Sequence, residues 1–110
     1  MLHISLLLTK IGKPEQINYL VSCGCIPPLC DLLMVEEDKI VTVALEGLEN
    51  ILKFGMSRMR KTKLDENPCV ILIDEVNGVD KIEKLQQHED NGIYEKALKI
   101  LETYFGAVDD

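Results

Sequence analysis

The chain has 110 residues, enough for about one domain, and 46% of them are hydrophobic, which supports a core and excludes disorder throughout. Tryptophan is absent and aromatic residues make up 5%, so that core is aliphatic, as in helical proteins. A net charge of −7 argues against a nucleic-acid surface, which needs a basic patch to neutralise phosphates, and suits a soluble protein that meets a basic partner.

Residues 1–8 are apolar but lack a basic leader and a small-residue cleavage site, and His3 and Ser5 interrupt the run. A membrane span needs about 20 apolar residues. The run therefore reads as part of a short helix over residues 1–11, the remnant of a preceding unit, and the chain as a protein of cytoplasm and nucleus. Gly12, Lys13 and Pro14 break this helix. Pro14, suited to a first helical turn, begins the next one over residues 15–22, and Gly24 closes it. A second short helix follows over residues 27–34, with Ile26, Leu29, Leu32 and Leu33 on its buried side.

The long helix predicted over residues 39–55 organises the chain. Val41, Ala44, Leu45, Leu48 and Leu52 recur at helical spacing, and Ile40, Val43, Ile51 and Phe54 widen their stripe until the helix is apolar nearly all round. Thr42, Glu46, Glu49, Asn50 and Lys53 form one narrow polar strip. Such a helix is covered on most sides by others, leaving one face for a partner. Asp38 is the expected cap at its start, and Gly55 the expected left-handed stop. Residues 56–67 are polar and basic in the middle, and read as a loop or a frayed extension.

Asn67 and Pro68 carry the cap and first-turn signature of a new helix over residues 69–76, which Asn77 and Gly78 stop. A short helix over 80–88 and a turn over 89–92 lead to a second long helix over 93–105. Residues 107–110 form an acidic tail.

These halves are one pattern written twice. At an offset of 53, Ile17, Leu20, Ile26, Leu29 and Leu32 match Val70, Ile73, Val79, Ile82 and Leu85. In the long helices Ile40, Val41, Ala44, Leu45, Leu48 and Leu52 match Ile93, Tyr94, Ala97, Leu98, Leu101 and Phe105, and the expected caps Asp38 and Asn91 correspond. Short helix, short helix, long helix is the armadillo unit, with a period of about 40–47 residues and the 56–67 segment taking up the excess. The expected fold is all-α, a right-handed α-solenoid of about two armadillo repeats, 12–55 and 68–106, after the helix remnant. The second repeat has the broader polar face, as a terminal repeat needs. The apolar side of residues 1–11 has nothing before it to bury against, which reads as a piece of a longer solenoid.

No enzyme site emerges. Cys23, Cys25, Cys30 and Cys69 show no C-x-x-C spacing and read as buried reduced thiols, giving no disulfide framework and no metal site. Glu46 with Glu49 and Asp74 with Glu75 are acidic pairs, but no nucleophile or base completes them. No glycine-rich phosphate loop is present, so no cofactor and no small-molecule substrate are expected.

The strings GKPEQINYLVSCGCIPPLCDLL, KIVTVALEGLENILKFG and GVDKIEKLQQHEDNGIYEKALKILETYF resemble the C-terminal armadillo repeats of importin-α (karyopherin-α), over about residues 12–105. The resemblance implies a nuclear-import adaptor, which bridges a cargo's basic localisation signal to importin-β and returns to the cytoplasm with an export receptor and Ran-GTP. It also implies that signals are bound by Trp-x-x-x-Asn pairs on third helices, the tryptophan stacking on lysine stems and the asparagine fixing the peptide backbone. Counted back from Gly12, the last such pair falls on His3 and Leu7, which cannot do that work. The equivalent positions are Glu46 and Asn50 in the first long helix, and Lys99 and Thr103 in the second. The family's basic importin-β-binding segment is not among these residues. Binding of a localisation signal is therefore not expected.

What the resemblance leaves is the region that, in the family, contacts the export receptor and some nucleoporins. The expected partner surface is Asp80, Glu83, Lys84, Gln87, Glu89, Asp90, Lys96 and Lys99, with Glu46 and Asn50 on the inner strip. The plain alternative is a solvated face, since exposed charges rarely carry a site. At the level of function, the alternatives are a general armadillo interaction scaffold and a truncated copy without a role of its own.

Overall fold

The computed structural model describes residues 13–106 except residue 64. The expected helix over 1–11, with His3 and Leu7, and the tail over 107–110 lie outside the described residues. Six α-helices follow one another: α1 (Pro14–Ser22), α2 (Ile26–Leu32), α3 (Asp38–Thr62), α4 (Pro68–Glu75), α5 (Gly78–Lys84) and α6 (Asn91–Tyr104), with a 3₁₀ turn over Leu85–Gln87 after α5. No strand occurs among the described residues.

Local chemistry sets most of these bounds. Pro14 opens α1, and Gly24, at φ +85°, turns the chain out of it. Asn67 caps α4 by accepting from the Cys69 backbone N–H at 2.9 Å, with Pro68 in the first turn. The left-handed residue after α4 is Asn77, at φ 61°, while Gly78 is already in α5. Gly78 is needed there for space, because a Cβ would stand 2.8 Å from Cys30 Sγ and 2.9 Å from the Ile73 carbonyl oxygen.

Two expected caps move by one position. Glu37, not Asp38, has the extended backbone before α3, and its side chain makes no capping bond. Asp90, not Asn91, caps α6, its Oδ1 accepting from the Ile93 backbone N–H at 3.1 Å. Glu37 and Asp90 keep the offset of 53 between the two units.

The larger correction concerns Gly55 and residues 56–67. Gly55 does not end the helix; α3 runs two turns further, to Thr62, and Lys63 takes the left-handed conformation at φ 58°. Gly55 is buried because the Asn67 side chain seats against it, donating from Nδ2 to the Leu52 carbonyl at 3.0 Å. Met56 and Met59 remain half-buried beyond it, Thr62 Oγ1 donates to the Arg58 carbonyl at 2.7 Å, and the Lys63 N–H closes on Met59. Only the residues after Thr62 form a connection.

α3 packs against α1, α2, α4 and α6, and α2 packs against α4 and α5, so one core crosses both units. Leu29, Leu45, Leu48, Ile51, Leu52, Ile73, Ile82, Ile93 and Leu101 are fully enclosed in it. Two of the matched pairs in the long helices divide by burial: Val41 and Ile93 are inside, whereas Ile40 and Tyr94 are more than a third exposed. Leu98 is likewise half-buried where its match Leu45 is enclosed, because α6 has neighbours on fewer sides than α3. Together the two units are all-α and stack as a short solenoid.

Candidate protein-binding site

The junction between the two units carries a row of acid–base contacts, three of them Asp or Glu with Lys and one Asp with His. Asp31 meets Lys81 at 3.0 Å, Asp38 meets His88 at 3.4 Å, Glu46 meets Lys96 at 3.4 Å and Glu49 meets Lys99 at 3.8 Å. In all four the acid belongs to the first unit and the base to the second, and the partners stand 50 positions apart. Equivalent positions differ by 53, so each acid faces a residue about one helical turn before its own counterpart. Helices stacked in parallel with that stagger turn a sequence offset into a charge ladder. His88 is fixed by a second contact, its Nδ1 accepting from the Asp90 backbone N–H at 2.9 Å.

This geometry divides the expected partner residues. Glu46, Lys96 and Lys99 belong to the ladder, and Asp90 caps α6, so all four have structural work. Asn50 is half-buried on the same side of α3 as Glu46, one turn further along. Asp80, Glu83 and Lys84 on α5, and Gln87 and Glu89 just after it, are exposed. The sequence offered no direct sign of Lys81 or His88 as partners of Asp31 and Asp38. The repeat offset, shortened by one turn, is the signal that finds them.

Glu46 is turned to Lys96 across the junction. The Lys99 ammonium leans toward Glu49 in the same way.

Cys25, Cys30 and Cys69 are buried, and burial pushes each thiol up to about 11, away from a reactive thiolate. Cys23, expected inside, is exposed instead, at the end of α1 where the chain turns at Gly24. Among the described residues no group of three or more His, Cys, Asp or Glu is placed to hold a metal ion. No helix among them is long and apolar enough to cross a membrane.

A two-unit helical stack, each unit two short helices and a long one, defines an armadillo-type binding module. Comparison with known proteins agrees: residues 13–53 match the Armadillo/beta-catenin-like repeat, and residues 67–110 the Atypical Arm repeat. The chain belongs to the armadillo-repeat family, and its repeats are of the importin-α kind. It is 52% identical over 94 residues to importin subunit alpha-1b of Oryza sativa subsp. japonica, with 86% of this chain and 18% of that protein covered. It is 54% identical over 95 residues to importin subunit alpha-4 of Arabidopsis thaliana, at 86% and 18% coverage. Against importin subunit alpha of Saccharomyces cerevisiae it is 48% identical over 100 residues, covering 91% of this chain and 18% of the relative. The chain thus spans under a fifth of the length of these relatives.

Proposed function

We propose that these two repeats serve nuclear import as the C-terminal part of an importin-α-like adaptor, moving between cytoplasm and nucleus and binding proteins. Within that role they supply a surface for an export receptor with Ran-GTP, or for a nucleoporin, and do not grip the localisation signal. The observation that carries this reading is the state of the inner positions. Glu46 and Lys99 are drawn into ion pairs across the junction, and neither of these two positions, the equivalents of the family's tryptophan, offers an aromatic shelf for a lysine stem. The exposed residues Asp80, Glu83, Lys84, Gln87 and Glu89, on α5 and just after it, are the candidate contact surface.

A pull-down tests this directly. The purified chain, checked for helicity by circular dichroism, is offered export receptor with Ran-GTP on one arm and a basic signal peptide on the other. Capture by the export receptor and not by the peptide is the expected result. Stoichiometric binding of the basic peptide would overturn it, and capture of neither would favour a general interaction scaffold.

A further inference from the structure

The last three turns of α3 carry a basic cluster that the ion-pair ladder does not use. Lys53, Arg58, Arg60 and Lys61 are all exposed, and the four contacts of the ladder engage none of them. Two hollows flank this stretch. One, of about 480 Å³, lies between α1 and α3, with Pro14, Ile17, Phe54 and Arg58 in its wall. The other, of about 520 Å³, lies between α3 and α6, with Met56, Arg60, Thr103 and Tyr104 in its wall. Lys53, Ser57 and Lys61 line both, so they form the ridge between them. Among the described residues no carboxylate lines either hollow, although the chain holds 19 acidic residues against 12 Lys and Arg.

The arrangement is more than a helix end. Arg60 and Lys61 stand in the last turn, where the helix dipole favours cations. Lys53 stands about two turns earlier, beyond the reach of that effect, and Arg58 is held over the Phe54 ring, 5.8 Å from its centroid, above the first hollow. Each hollow therefore pairs cations with an aromatic ring, Phe54 in one and Tyr104 in the other.

We propose that this ridge binds an extended acidic segment of a partner protein. From Lys53 to Lys61 is about 12 Å along the helix axis, which an extended chain spans in about four residues. Side chains of an extended peptide alternate between two sides. Laid along the ridge, one set of carboxylates faces Arg58 and the other Arg60, with Lys53 and Lys61 beneath the backbone. A nucleic acid fits less well, because the cationic stretch is short and the rest of the chain, at a net −7, repels a longer polyanion. This surface is separate from the exposed residues of α5, so it stands or falls independently of export-receptor binding.

The test is fluorescence anisotropy of a fluorescein-labelled peptide of alternating Asp and Glu, about eight residues long, with the same peptide in Asn and Gln as control. Saturable binding of the acidic peptide alone, weakening steeply as salt is raised, is expected. Arg58→Gln with Arg60→Gln is expected to weaken it at least about tenfold, as the loss of two charge-assisted contacts implies, while Lys84→Gln leaves it unchanged. Should the arginine variant lose helicity, Lys53→Gln with Lys61→Gln asks the same question from the ridge. Absence of saturable binding, equal binding by a folded variant, or tighter binding of a single-stranded oligonucleotide would overturn the proposal.

Discussion

Asn67 occupies the space that any side chain at Gly55 would need. Its amide reaches the backbone of α3, donating from Nδ2 to the Leu52 carbonyl at 3.0 Å, while its oxygen accepts from the Cys69 N–H at 2.9 Å. A Cβ on Gly55 would overlap Asn67 Oδ1 and stand 2.9 Å from its Cγ. Asn67 is the one polar side chain in the buried set of described residues, and it ties the long helix of the first unit to the start of the second.

Gly55→Ala is the sharpest test of that relationship. Alanine is favoured over glycine inside a helix by about 1 kcal/mol, so an open site would be stabilised. Here displacement of Asn67 breaks two buried hydrogen bonds, at roughly 1–3 kcal/mol, which offsets that gain and leaves a net loss of up to about 2 kcal/mol in urea denaturation. Asn67→Ala alone costs a similar amount through the lost cap. In the Asn67→Ala background, Gly55→Ala costs clearly less than it does alone, because the clash has gone; strict additivity would show the contact to be unimportant.

The cap of α6 gives a second prediction. Asp90→Ala lowers stability by about 0.5–2 kcal/mol, whereas Glu37→Ala, at the equivalent position before α3, changes it little, since only Asp90 makes a capping bond. Thermal unfolding followed at 222 nm (circular dichroism) separates the two.

The charge ladder predicts a reversible swap. Glu46→Lys places like charges across the junction from Lys96 and destabilises the fold; Lys96→Glu in the same chain restores opposite charges and recovers most of the loss. Both groups are about a quarter to a third exposed, so the coupling stays within about 1 kcal/mol and shrinks in high salt. Lys99→Ala, which removes an exposed lysine 3.8 Å from Glu49, has a smaller effect still.

Alkaline pH should loosen the fold through its thiols. Cys25, Cys30 and Cys69 have pKa values raised from 9.0 to about 11 by burial, so the folded chain keeps protons that the unfolded chain releases. The unfolded state then binds fewer protons, and stability falls as pH rises from 9 towards 11. Each thiol contributes up to about a tenfold change in the folding equilibrium per pH unit. Replacing Cys25 by Ala makes the fall less steep. Near neutral pH, iodoacetamide labels the exposed Cys23 and spares the other three until the chain unfolds.

The sequence by itself determined the helices, their order and their repetition. Apolar spacing, Pro14 and Pro68 at helix starts, and matched pairs such as Leu29 with Ile82 are local or periodic signals, and helices form from local hydrogen bonds. Tertiary structure decided where α3 ends, because a glycine after an apolar run reads equally as a stop or as room for a neighbour. Only the arrival of Asn67 distinguishes the two at Gly55. It also decided which charges are committed. Glu46 and Lys96 lie 50 residues apart, and the one-turn stagger that joins them is set by how the two units' side chains pack, which no single stretch of sequence contains.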